Sequence, residues 1–192
     1  MYAELLGDAR LYEILQRVDE DLAGQAQAGG CRCGGRLDSA RYPRKPRGGP
    51  AGLGASYEHR LSFCCATEGC RKRTTPPSVR FLGRKVYLGA VVVLVSALRQ
   101  GPSPTRVGVL HHLFGVGERT LRRWRQWWQR TFAEGAFWRG ARGRVLPVVA
   151  ADELPRGLVE RFAGAVMDRC CQVLGFLAPI TTGSCVLATG TL

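Results

Sequence analysis

The residues of this sequence best suited to chemistry are its cysteines, and five of the eight fall into two short groups. The first is Cys31-Arg-Cys33-Gly-Gly; the second, further along, is Cys64-Cys65-Ala-Thr-Glu-Gly-Cys70. Two close-set pairs, each turning at glycine, meet the needs of a tetrahedral zinc ion. Each forms a knuckle that presents two thiolates, and a hairpin brings the knuckles together. The spacing is C-x-C in the first knuckle and either C-x4-C or C-x5-C in the second. The expected ligands are therefore Cys31, Cys33, Cys65 and Cys70, with Cys64 as the alternate to Cys65; a Cys64 not used as a ligand is expected to point into the core beside Phe63. A set of buried, unliganded thiols is the competing reading. Disulfides need an oxidising compartment, whereas the opening MYAELLGDARLYEIL has early acidic residues and no basic-then-apolar signal pattern. Adjacent cysteines also cannot bridge each other without strain. Cys170, Cys171 and Cys185 lack knuckle spacing and read as reduced, buried thiols, and His59, alone in EHRLSF, reads as a surface residue.

A second group of residues has the chemistry of polyanion recognition. In Glu118–Phe132, ERTLRRWRQWWQRTF, helical spacing puts Leu121, Trp124, Trp128 and Phe132 on one stripe and leaves Arg119, Arg122, Arg123, Gln126 and Arg130 facing outward. Arginine pairs bidentately with guanine and glutamine with adenine, so this is the face of a base-reading helix. Ahead of it, Ser103-Pro104 supplies a cap and a first-turn proline for a helix over 105–114 carrying Val107, Leu110 and Phe114. Gly115 ends that helix and Val116-Gly117 completes a three-residue turn. Val107 to Gln126 thus resembles the DNA-binding helix-turn-helix family, from which it departs at His111, where a small residue is usual.

The elements around these groups are less explicit. Lys+Arg is 28 against Asp+Glu 15, a net charge of +13, which favours nucleic acid because each neutralised phosphate releases a counterion. The basic runs around the second cysteine group are stiffened by proline and are expected to stay extended, with exposed cations. Arg44, Lys45, Arg71, Lys72, Arg73, Arg84, Lys85 and Arg130 are the expected phosphate contacts. Leu11, Ile14, Leu15, Val18 and Leu22 predict an amphipathic helix with Glu13, Asp19, Glu20 and Asp21 on its outer face, ending in a linker from Gly24 to Gly30. Tyr57–Phe63 reads as a strand and Val86–Gln100 as a buried helix. The longest apolar run, Leu88–Leu98, is short of a membrane span.

The expected fold class is α+β, mostly helical: a small zinc ribbon, then a three-helix (helix-turn-helix) bundle, then C-terminal helices. The segments run 1–30 (helix and linker), 31–85 (zinc ribbon and basic connector), 86–134 (bundle), 135–178 (helical cover) and 179–192 (flexible tail). A zinc ribbon ending in Cys70-Arg-Lys-Arg-Thr, a basic connector and a helix-turn-helix over Val107–Gln126 resemble the amino-terminal DNA-binding region of bacterial insertion-sequence transposases and their accessory proteins. The resemblance spans residues 31–132 and implies recognition of an element's terminal repeats.

The remaining chain carries no complete catalytic constellation. Beyond residue 132 only Glu134, Asp152, Glu153, Glu160 and Asp168 are acidic, with one strand-like run at Arg144–Val149. Asp152-Glu153 before Pro155 is expected to cap the next helix. The sequence therefore predicts a non-enzymatic cytoplasmic, nucleoid-associated protein that binds zinc and double-stranded DNA, with a transposase or a second copy of itself as protein partner and no membrane. A transcriptional regulator built from the same modules, or an RNA-binding zinc-ribbon protein, would share these features.

Overall fold

Leu11, Leu15 and Ala23 recur on one face of Ala9–Ala28, and burial of that face makes the segment a 20-residue helix, α2, following a short α1 at Tyr2–Gly7. The computed structural model describes residues 2–83, 85–98 and 103–182, apart from the side chain of Arg106. Asp8 caps α2 by accepting from the Arg10 backbone N–H. The linker expected from Gly24 is instead helical through Ala28. Ala23 and Ala26 pack on the cysteine hairpin, Gln27 Nε2 donates to the Leu37 carbonyl at 3.0 Å, and the chain turns left-handed only at Gly30, φ 65°.

Asp19 also departs from the expected acidic face. It is 1% exposed and accepts from Ser78 Oγ (2.6 Å), the Val79 N–H (2.6 Å) and Arg80 Nε (2.8 Å). The proline-stiffened segment, expected to run exposed, crosses α2 here. It brings to Asp19 one cation and two further donors, as a buried carboxylate requires. Arg80, correspondingly, is buried rather than presented to solvent.

The strands are short. β1 (Leu37–Ser39), β4 (Phe63–Cys65) and β5 (Arg73–Thr74) form an antiparallel sheet in the order β1-β4-β5, with Leu37 opposite Cys65 and Phe63 opposite Thr74. β2 (Tyr42–Pro43) pairs with β3 (His59–Arg60). The single strand expected over 57–63 is divided. Residues 55–58 form a 3-10 turn, and the chain changes sheet at Leu61-Ser62. Leu37, Phe63, Cys65, Cys31 and Ala23 make a small core between this sheet and the end of α2.

The larger core surrounds α3, Gly89–Ser96, whose Val91–Leu94 are fully buried. The expected helix begins three residues late because Val86–Leu88 run extended: Arg47 N–H donates to the Val86 carbonyl at 2.9 Å and Leu88 N–H to the Arg47 carbonyl at 3.1 Å. Arg99 and Gln100 of that expectation lie outside the described residues. α4 (Pro104–Phe114), the turn Gly115–Gly117 and α5 (Glu118–Gln126) follow, and α5 runs on as a π-helical segment, Trp127–Phe132. α6 (Ala136–Ala141), α7 (Arg156–Glu160) and α8 (Val166–Leu177) close the core from the other side.

The strand expected over Arg144–Val149 is absent: Arg144 ends a 3-10 turn and 145–149 is irregular. Asp152-Glu153 lies in a 3-10 turn and does not cap α7, which starts without a side-chain cap after Pro155. The first residues of the expected flexible tail are packed: Pro179 to Thr181 complete a 3-10 turn, and the buried Thr181 hydroxyl accepts from the Ser78 N–H at 2.8 Å. Residues 183–192, including Cys185, lie outside the described residues. The fold is α+β and mostly helical, and no helix among the described residues is long and apolar enough to cross a membrane.

Candidate metal centre and basic surface

The first knuckle is closed by two backbone bonds, Gly34 N–H to the Cys31 carbonyl (2.8 Å) and Cys31 N–H to the Gly35 carbonyl (3.0 Å), with Gly34 left-handed at φ 81°. The second is held by Cys65 N–H to the Lys72 carbonyl (2.9 Å) and Cys70 N–H to the Thr67 carbonyl (3.1 Å), with Gly69 at φ 81°. The β1-β4 register, which sets Leu37 opposite Cys65, places one knuckle against the other. Their approach is tight. A β-carbon on Gly35 would lie 2.1 Å from Thr67 Oγ1 and 2.7 Å from Cys65 Sγ.

The sulfurs of Cys31, Cys33, Cys65 and Cys70 consequently all lie within 4.8 Å of one another. Cys31 and Cys70 are 3.7 Å apart, and Cys33 and Cys65 3.5 Å. Four thiolates at a zinc–sulfur distance of about 2.3 Å span a tetrahedron with edges of about 3.8 Å, so the donor set and its size fit a single tetrahedral ion. Among the described residues this is the only group of His, Cys, Asp and Glu side chains close enough to hold a metal. The choice between Cys64 and Cys65 falls to Cys65. Cys64 lies on the opposite side of β4, half-buried, and points neither into the cluster nor into the core beside Phe63; its thiol donates to the Arg71 carbonyl at 3.3 Å. His59 is likewise apart, its Nδ1 lying 3.2 Å from the Ala55 carbonyl. The Gly35 backbone N–H, followed by the thiols of Cys70, Cys65 and Cys31, lowers the Cys33 pKa, while against the Lys72 backbone N–H the neighbouring thiols and burial raise that of Cys70, so the four sulfurs share their protons and a metal would have to displace them.

The basic surface is positioned by aromatic packing. Trp124 meets Tyr87 edge-on at 5.0 Å, and Tyr87 Oη donates to the Gly115 carbonyl at 2.6 Å, which fixes the α4–α5 turn to the strand-like entry of α3. Trp124, Trp128 and Phe132 are buried and Leu121 half-buried, so the predicted stripe is the packed face. Arg119, Arg122, Arg123 and Gln126 are all exposed; Arg122 is drawn to Glu118 one turn earlier at 2.6 Å. Arg125 is exposed as well. It lies on the flank of the stripe opposite Arg123, a position that helical spacing alone also identifies.

The other expected cations divide by their surroundings. Lys45, Arg71, Lys72 and Arg130 are exposed. Arg44 donates to the Gly83 and Lys85 carbonyls at 2.9 and 2.8 Å and covers the Phe81 ring, so it braces the connector. Arg73 lies over the Tyr42 ring at 5.8 Å. Lys85 sits with its Nζ 3.8 Å from the centre of the Trp127 ring in a 460 Å³ cleft, and burial, then the charge of Arg123, lower its pKa to about 8. Arg84 lies outside the described residues.

The chain matches no protein-family model, no curated protein and no solved structure.

Proposed function

We propose that this chain is a non-enzymatic, zinc-stabilised protein that reads sequence in double-stranded DNA, with 31–85 as a zinc-ribbon unit and α4–turn–α5 as a helix-turn-helix. One observation carries the reading. A helix locked into the core by Trp124 and Trp128 shows solvent four side chains suited to base edges: Arg119, Arg122, Arg123 and Gln126. Such a face has one orientation relative to the body, which a groove contact needs. Lys72, Arg71 and Arg130 supply phosphate contacts around it. Zinc is the metal that best suits four thiolates in a tetrahedron of this size. The resemblance of residues 31–132 to transposase DNA-binding regions makes a transposition protein, or an accessory to one, the biological setting of this reading.

The test is selection from a random duplex library at two salt concentrations, with and without a zinc chelator. Enrichment of one motif that is lost on chelation is the expected result. Arg123→Ala should then relax preference at one base pair, by roughly 1–3 kcal/mol. Lys72→Ala should weaken all duplexes alike and reduce the salt slope by about 0.9. Equal behaviour of the two variants, or binding without any motif, would refute a base-reading α5.

A further inference from the structure

Among the described residues, the two non-glycine positions with a left-handed backbone are both exposed cations, Lys45 at φ 49° and Arg71 at φ 43°. A β-carbon crowds the backbone in that conformation, so glycine and, less often, asparagine or aspartate normally occupy it. The metal centre itself provides the comparison. The first knuckle leaves Cys33 through left-handed Gly34, whereas the second leaves Cys70 through left-handed Arg71. Lys45 is further crowded by Pro46, whose ring restricts the residue before it.

The Arg71 backbone is held in its turn, its N–H donating to the Thr67 carbonyl at 3.4 Å and its carbonyl accepting from the Cys64 thiol at 3.3 Å, but neither side chain has an internal partner among the described residues. Arg44, Arg60 and Arg80 donate to carbonyls or a carboxylate, and Arg73 covers a ring. By contrast, no hydrogen bond or ion pair among the described residues engages the side chain of Lys45 or Arg71. Strain retained at a functional surface is characteristic of groups positioned for a ligand. The basic run of each residue carries a neighbour fixed to the body, Arg44 in one and Arg73 in the other, so both cations leave from anchored backbone.

We infer that Lys45 and Arg71 are backbone-strained phosphate contacts, held in left-handed turns that set the direction in which each cation leaves the metal-bearing unit to meet the duplex. The inference rests on the reading of the chain as a duplex-DNA binder. It goes beyond that reading by assigning these two turns to binding at the expense of stability.

The experiment uses full-length zinc-loaded protein and compares Lys45→Gly, Arg71→Gly and the double variant with wild type, with Arg17→Ala on the exposed side of α2 as a control. Three quantities are read: melting temperature, zinc affinity by chelator competition, and duplex affinity against salt. Each glycine variant is expected to melt at or above the wild-type temperature with unchanged zinc affinity. Each should lose about 0.9 from the salt slope, roughly an eightfold weakening at 0.1 M salt, with the double variant losing about twice that slope and Arg17→Ala none. Unchanged slopes in glycine variants that still bind duplex would overturn the assignment. So would a fall in zinc affinity that accounts for the DNA loss in Arg71→Gly, since the cation would then serve the thiolates. Wild-type protein with no salt-dependent duplex binding would remove the underlying reading as well, a failure visible before any variant is compared.

Discussion

Gly35 is the residue on which the closeness of the two knuckles depends, because its missing side chain is the space that Thr67 Oγ1 and Cys65 Sγ occupy. Thr67 can rotate away from an added methyl group; Cys65, buried and with its sulfur in the cluster, cannot do so without leaving the tetrad. Gly35→Ala is therefore expected to lower zinc affinity at least about tenfold, equivalent to roughly 1.4 kcal/mol, in competition with a colorimetric chelator. Cys64→Ser should bind one zinc with wild-type affinity, while Cys65→Ser should lose most of it. The reverse order for the two serines would mean that the strand presents its other face to the metal. The grouping of Cys31, Cys33 and Cys70 with one of Cys64 and Cys65 was legible from spacing, but the part played by Gly35 was not. Its role comes from a contact across the hairpin, which sequence separation conceals.

Among the elements, α5 was the most legible, since a helix that alternates tryptophan and arginine has only one way to face a core. Its continuation as a π-helical segment was not legible: Trp127, Trp128 and Phe132 crowd together at ring distances of 4.7 to 5.5 Å, and the wider turn accommodates them. That crowding also gives Lys85 its place over Trp127. Its pKa is about 8 when folded and 10.5 in the open chain, so the unfolded state binds more protons between those values. The destabilisation from burying the ammonium is thus fully present below about pH 8 and is relieved as pH rises toward 10.5. A phosphate beside this amine acts oppositely by favouring the charged form. If Lys85 meets a phosphate, as its place in the basic connector leads one to expect, duplex affinity should fall as pH rises from about 7 to 9, and Lys85→Arg, charged throughout, should flatten that dependence. A pH profile identical in wild type and Lys85→Arg would show that this lysine meets no phosphate.

At the scale of the molecule, α2 joins two cores. Its first half packs Leu11, Tyr12 and Leu15 into the core around α3, while Ala23, near its far end, packs against Cys31, Leu37, Phe63 and Cys65 beneath the tetrad. Between them, Asp19 holds Ser78, Val79 and Arg80, and so ties the cysteine-bearing unit to the helical body. The sequence showed the amphipathic stripe of α2 but not this function, because Asp19 looks like its solvated neighbours Glu20 and Asp21 until the segment carrying Arg80 crosses it. Removing the carboxylate leaves Arg80 buried without its counter-charge, so Asp19→Ala should cost about 3–5 kcal/mol in urea unfolding.

The same connection makes a stricter demand, because coupling between two sites is reciprocal. If zinc orders the end of α2 and thereby strengthens the Asp19 contacts, loss of those contacts must weaken zinc by the same factor. Hydrogen exchange on chelated protein should then show amides of 23–28 and 78–81 losing protection while 92–95 in α3 retain it, and Asp19→Ala should bind zinc more weakly in proportion. Exchange in α2 that ignores the metal, together with wild-type zinc affinity in Asp19→Ala, would mean that the two cores fold independently. The metal would then stabilise only its own hairpin, and a chelator could not act on DNA reading by α5 through the fold.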